Sequence, residues 1–134
     1  MSAQLAVQRA IFQALSGNGA LTALIGAGRV HDDPPDPLRP PYVLIGTIRS
    51  RLSAPSVEEG EEHRISIVAW STENGNRQAA LMAAAIRKAL EIPPVAEAPH
   101  VIANLEAIEC VVGAAAGEGL YRADLVFRAI TETR

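Results

Sequence analysis

Reaction chemistry in this chain would have to start from its histidines, its cysteine or its carboxylates, and all three are sparse or badly placed. His31, His63 and His100 stand far apart, none has a second histidine at metal-ligand spacing, and each reads as a surface or loop residue. Cys110 is the only cysteine, which rules out an intrachain disulfide and a cysteine metal cluster. It lies among Ile108, Val111 and Val112, where a buried, inert thiol is expected, and no His–Asn or His–Asp pair stands ready to activate it. The run Glu58-Glu59-Gly60-Glu61-Glu62 gathers carboxylates but lacks the alternating Asp/Asn ligands, central Gly and terminal Glu of a calcium loop. Gly17-Asn18-Gly19 follows a helix signal, whereas a dinucleotide fingerprint must follow a strand. A phosphate loop needs Gly-Lys-Ser/Thr, and the one lysine, Lys88, falls inside a helical pattern. No Gly-x-Ser-x-Gly nucleophile elbow occurs. The reading is of a chain that is not an enzyme, with no catalytic residue, cofactor or metal to assign.

The residues left to consider are those that make contacts. Arg51, Glu58, Glu59, Glu61 and Glu62 frame a polar interruption too charged to pack, which reads as an exposed tip between two antiparallel strands and a candidate interaction loop. Trp70 closes a strand as a core-edge anchor, with a subunit interface as the sharper alternative. Arg122 and Arg128 share a strand face with Asp124 and can pair with it locally or across subunits, the local pairing being the simpler. Trp70, Arg122 and Arg128 are therefore the candidate interface residues. Eleven of the twelve basic residues are Arg, the type suited to planar ion pairs at interfaces, although coding bias explains this equally well.

The element that must position these groups runs from Glu61 to Leu90. His63 to Ser71 alternates, with Ile65, Ile67 and Ala69 on one face. Asn74-Gly75-Asn76 breaks the pattern, and Ala79, Met82, Ala83, Ile86, Ala89 and Leu90 then recur at helical spacing. A helix reached by so short a turn folds back over the sheet it has just left. Before this unit, Ser2 caps a helix with Leu5, Val7, Ile11, Phe12 and Leu15 on its apolar face. Ser16 to Gly19 stops it, and Ala20 to Ile25 allows one more helical turn. Residues 32–41 hold five of the nine prolines and form a structured surface connection. Tyr42 to Ile48 is a strand. After the central helix, Pro93-Pro94 ends it, and Val101 to Val112 is a further strand with a break in alternation at Ala107 that marks a bulge. The Gly113 to Gly119 turn leads into the last strand, Leu120 to Thr131, with Tyr121, Ala123, Leu125, Phe127 and Ala129 facing one way. The expected fold is α/β of the α+β kind: one mostly antiparallel four-stranded sheet, helices on one face, order α-β-β-α-β-β.

Length and composition agree with this. One domain over residues 1–134 can bury about 68% of the surface of its unfolded chain, and 49% hydrophobic with 20% charged residues is globular composition. A net charge of −3 gives no electrostatic reason to expect nucleic acid. The first residues do not read as a signal peptide, and no apolar run is long enough to span a membrane, so a soluble protein of a reducing cytoplasm is expected.

Several segments, in succession, resemble the phage tail-completion proteins, the family that includes tail terminators of long-tailed phages and gene transfer agents. They are Leu24-Ile25-Gly26 with Gly28-Arg29-Val30, the proline loop with Pro41-Tyr42-Val43, Val68-Ala69-Trp70-Ser71, the helix from Ala79 to Leu90, and Tyr121 to Ala129. The acidic tip and the Gly-Ala-rich turn depart from the pattern. The resemblance implies a homo-hexameric ring at the head-proximal end of the tail tube, ending tube polymerisation and joining the tail to the head. Its partners would be further copies of itself, the tail tube protein and a head or neck connector, with no membrane and no specific nucleic acid. It would assemble in the host cytoplasm and then reside at the tail–neck junction of a virion or virus-like particle. A neck or connector component, and a small-ligand-binding α/β module, are the alternatives.

Overall fold

A computed structural model describes residues 2–33, 37, 39–52, 60–115 and 119–134. The elements, in order, are α1 (Ala3–Ser16), α2 (Gly19–Ile25), β1 (Val30–His31), β2 (Tyr42–Arg51), β3 (Glu61–Ser71), α3 (Arg77–Ala89), β4 (His100–Ala114) and β5 (Tyr121–Thr133). They form a five-stranded sheet in the order β1-β2-β3-β5-β4. All pairings are antiparallel except β1 with β2. The expected mixed fold and mostly antiparallel sheet are thus present, with the helical turn allowed at Ala20–Ile25 formed as α2 and with β1 added as a fifth strand. β1 escapes an alternation test because two residues have no period to read.

The Gly26-Ala27-Gly28 turn that delivers β1 requires glycine. Gly26 and Gly28 hold φ of +90° and +73°, which side chains with a Cβ avoid. Arg29 then fastens the proline connection, its guanidinium donating to the carbonyls of Arg39 and Pro41. Pro34 and Pro35 lie outside the described residues.

The central unit folds as its pattern requires. Ile65, Ile67 and Ala69 of β3 are buried beneath Ala79, Met82, Ala83 and Ile86 of α3. The turn between them is closed by Gln78, whose Oε1 accepts from the backbone N–H of Thr72 at 2.7 Å and from Ser71 Oγ at 2.7 Å. α1 begins at the expected cap, with Ser2 Oγ accepting from Leu5 N–H at 3.2 Å. Its buried stripe is Ala3, Ala6, Val7, Ala10, Ile11 and Leu15. Leu5 and Phe12, expected inside, are each 39% exposed, because three alanines let the helix approach the sheet closely and turn those larger groups outward.

Both long helices lie on one face, where Val43, Ile45, Ile65, Ile67, Leu125 and Phe127 join them in a single core. The other face carries Leu44, Ser66, Val68, Trp70, Arg122, Val126 and Arg128, and among the described residues no helix covers it. The ladder between β4 and β5 shifts register at Ala107/Glu109, where the bulge was expected, and again at Ile102/Asn104. Beyond Glu106, β4 runs past the cover of α3, so residues 106–111 are exposed on both faces. Cys110 is accordingly exposed, not buried: its apolar neighbours mark an uncovered edge instead of a core strand.

Candidate assembly surfaces

Two groups of candidate residues lie on the open sheet face, and a third cluster lies on the opposite, helix-covered face. The first is an ion-pair ladder. Arg128 of β5 stands beside Glu106 of β4 and reaches diagonally to Glu62 of β3, with Arg128 Nη2 3.2 Å from Glu62 Oε2 and Arg128 Nη1 3.6 Å from Glu106 Oε1. Arg64 Nε lies 3.8 Å from the other Glu62 oxygen. The hydrogen bond from Arg128, aided by the charges of Arg128, Arg51 and Arg64, holds the Glu62 carboxyl below its ordinary value against an opposing effect of burial. Glu62 is therefore not part of a repelling, solvated tip. It is a buried strand residue, because the strand begins two residues earlier than expected and cross-strand arginines neutralise it. Glu61 is also in the strand, and Arg51 faces Glu62 across the β2–β3 pair. Glu58 and Glu59 lie outside the described residues.

The second group sits at the other end of the same face. Trp70 is half-buried, with the Arg122 guanidinium carbon 5.2 Å from its ring centroid and the Tyr42 ring 6.4 Å away. Arg122 Nε donates to Asp124 Oδ2 at 2.9 Å, so this arginine pairs locally within the subunit. Arg128 does not join that pair: it pairs across the sheet, since Asp124 lies nearer Arg122 along β5 and Glu62 and Glu106 flank it. A stacked arginine over tryptophan on a helix-free sheet face presents a large amphipathic contact surface.

The third group escaped sequence reasoning. His63 is 0% exposed, on the helix-covered face of β3. Its Nδ1 is 2.6 Å from Ser50 Oγ and its Nε2 2.9 Å from Thr131 Oγ1, and Gln4 Nε2 donates on to Ser50 Oγ at 2.9 Å. The expectation of a surface histidine fails because its partners are 13 and 68 residues away in sequence and satisfy a ring that a local pattern sees as polar. Burial pushes the His63 pKa down, while Glu61 and Glu62 pull it partly back up. A histidine whose folded pKa is depressed gives stability that is complete above its unfolded value of about 6.5 and is lost as pH falls below it. We expect thermal melts to shift downward between pH 7.5 and 5.5, with a slope of at most about 1.4 kcal/mol per pH unit. His63→Gln should flatten that slope, and an equal slope in the variant would assign the effect elsewhere.

A cleft of about 490 Å³ separates α1 from the segment after α3, lined in part by Leu5, Arg9, Phe12, Asp32, Val95 and Glu97. Two pairs of its polar groups engage each other: Gln8 donates to Asp32 at 2.6 Å and Arg9 lies 3.8 Å from Glu97. Among the described residues no three His, Cys, Asp or Glu side chains are grouped to hold a metal ion, and no helix is long and apolar enough to cross a membrane.

Fold and surfaces together define a small α+β domain with polar and aromatic groups displayed on an open sheet face. One family of that class, described as Tail completion protein gp17, matches residues 9–132, and the chain belongs to it. It is thus a structural protein of the phage-tail kind. A solved structure described as "Virion of native gene transfer agent (GTA) particle" contains a chain of 29% sequence identity. The two superpose with a TM-score of 0.84 over 98% of each chain. No curated protein matches.

Proposed function

We propose that this chain forms a homo-hexameric ring at the head-proximal end of the tail tube, ends tube polymerisation there and joins the tail to the head or neck. The observation that carries this reading is the end-to-end match to a chain of a gene-transfer-agent virion, within a tail-completion family. The physical character of the subunit supports it. A ring closed by rotation needs two different, complementary patches on each copy, and the two sheet edges here differ in length, charge and strand direction.

In this reading the subunit assembles in the host cytoplasm and then meets the tail tube protein on one side of the ring and a head or neck connector on the other. The segments between Arg51 and Glu61 and between Asp32 and Pro41 supply contacts to those partners in this reading. Trp70 and Arg122 add contact surface on the open face. Electron micrographs of particles made without this chain test the proposal: unattached heads and tails are expected, and normally joined particles would overturn it.

A further inference from the structure

We infer that β4 of one copy docks antiparallel against β2 of the next, continuing the sheet across the subunit boundary, with Glu106 directly beside Arg49 and diagonal to Arg51, and Glu109 diagonal to Arg49. The contact rests on the ring reading above and names the surfaces that build it.

Each edge is open for a strand. β4 ends the sheet and spans fifteen residues. At the opposite side β1 pairs only with Val43 and Leu44, so among the described residues no strand lies outside β2 from Ile45 to Arg51. A long strand edge with exposed apolar groups invites another strand unless charge, Pro or a cover blocks it. β4 contains no Lys, Arg or Pro, and it exposes Ile108 at 41% and Val111 at 52%. Its bulges shift the ladder with β5, and among the described residues no strand pairs with its outer side.

The occupant follows from charge and direction. The exposed charges of β4 are Glu106 and Glu109, and those of the free part of β2 are Arg49 and Arg51. All four lie on the helix-free face. The pairings Arg49↔Arg64, Arg64↔Arg128 and Arg128↔Glu106 place Arg49 and Glu106 at the two ends of one cross-strand row. A neighbour added in the same orientation therefore brings its Arg49 row beside Glu106, while its Arg51 row falls level with Asn104 and Glu109 falls on the other side, so that Glu106–Arg51 and Glu109–Arg49 meet as diagonal pairs. Because β2 and β3, β3 and β5, and β5 and β4 are each antiparallel, β2 and β4 run in opposite directions. Copies related by rotation about an axis near the strand direction thus meet as an antiparallel pair. That is a heterologous contact, the kind that closes a ring.

The test uses the full chain and two variants, Glu106→Arg/Glu109→Arg and Arg49→Glu/Arg51→Glu, in sedimentation velocity over a concentration series. Each variant alone meets like charge at every contact, and its self-association should weaken about 100-fold relative to the unaltered chain. Mixed in equal amounts, the variants present opposite charges at both edges, and association should return to near the original strength as alternating copies. Glu106 contacts Arg128 within the subunit, so Glu109→Arg alone, free of that contact, serves as the second reversal. Recovery on mixing also separates an edge contact from a folding defect, which mixing would not repair. An unaltered chain that stays monomeric throughout, variants that associate as it does, or weakened variants that mixing does not restore would each overturn the proposed contact. None of these would disturb the tail assignment, which is read from particle morphology.

Discussion

Phe127→Ala should lower stability by about 3–5 kcal/mol, the range for emptying a fully buried aromatic site. Phe127 is 1% exposed, pairs across the sheet with Ile65 and Ala107, and lies within the core beneath α3. The ring fills space that the facing groups cannot reclaim, because Leu90 and Ile86 are fixed by the helix and Ile65 and Leu125 by the ladder. Against a total of about 5–15 kcal/mol for a domain, this loss can leave much of the chain unfolded on mild heating. Phe12→Ala is the control. That side chain lies on α1 and is 39% exposed, so about 1 kcal/mol or less is expected. Chemical denaturation of both variants checks the pair, and equal losses would contradict the placement of the core.

Arg128→Glu should produce the second large effect, seen as a fall in melting temperature greater than that of Arg128→Met. The reversal puts a third carboxylate between Glu62 and Glu106, where the guanidinium now stands 3.2 and 3.6 Å from them. Glu62 is buried, so water cannot fully replace its partner. Arg128→Met removes the charge but keeps most of the side-chain volume. Adding Glu62→Gln should then recover much of the loss, since the group left uncompensated is no longer charged. The Glu62 carboxyl, held below its ordinary value by this arginine, gives stability that is present above about pH 4.5 and lost on acidification below it. Equal melting temperatures for the three arginine and glutamate variants would show that the ladder is decorative.

What the sequence made legible was whatever repeats with a local period. β3 and α3 could be read because Ile65, Ile67 and Ala69 alternate and Ala79, Met82, Ala83 and Ile86 recur at helical spacing, and all seven are buried together. The caps and breaks were readable for the same reason, since Ser2 and Gly17 act within a turn of themselves. What lies across the sheet was not readable. His63 becomes a core residue only when Ser50 and Thr131 arrive from other strands, and Glu62 is tolerated in a buried strand position only because Arg128 reaches it diagonally from β5. Cys110 misleads in the opposite direction: an apolar run signals a strand but not whether anything covers it. α1 shows how alanine confuses a hydrophobic face, since small residues form the seam and Leu5 and Phe12 flank it. Trp70 and Arg122 were identified as contact residues by type alone, and their stacking on the uncovered face supplies a structural setting for that reading.

The proposed edge contact and the open face place function in surfaces, where local periodicity carries little information. The most direct measurement is electron microscopy of particles produced with the gene for this chain deleted, beside the same strain supplied with the chain in trans. Filled heads and separate tails, or tubes of uncontrolled length, are expected in the deletion, and joined particles with tails of uniform length once the chain is restored. Normally tailed, joined particles in its absence would contradict the account and turn attention to the cleft beside α1.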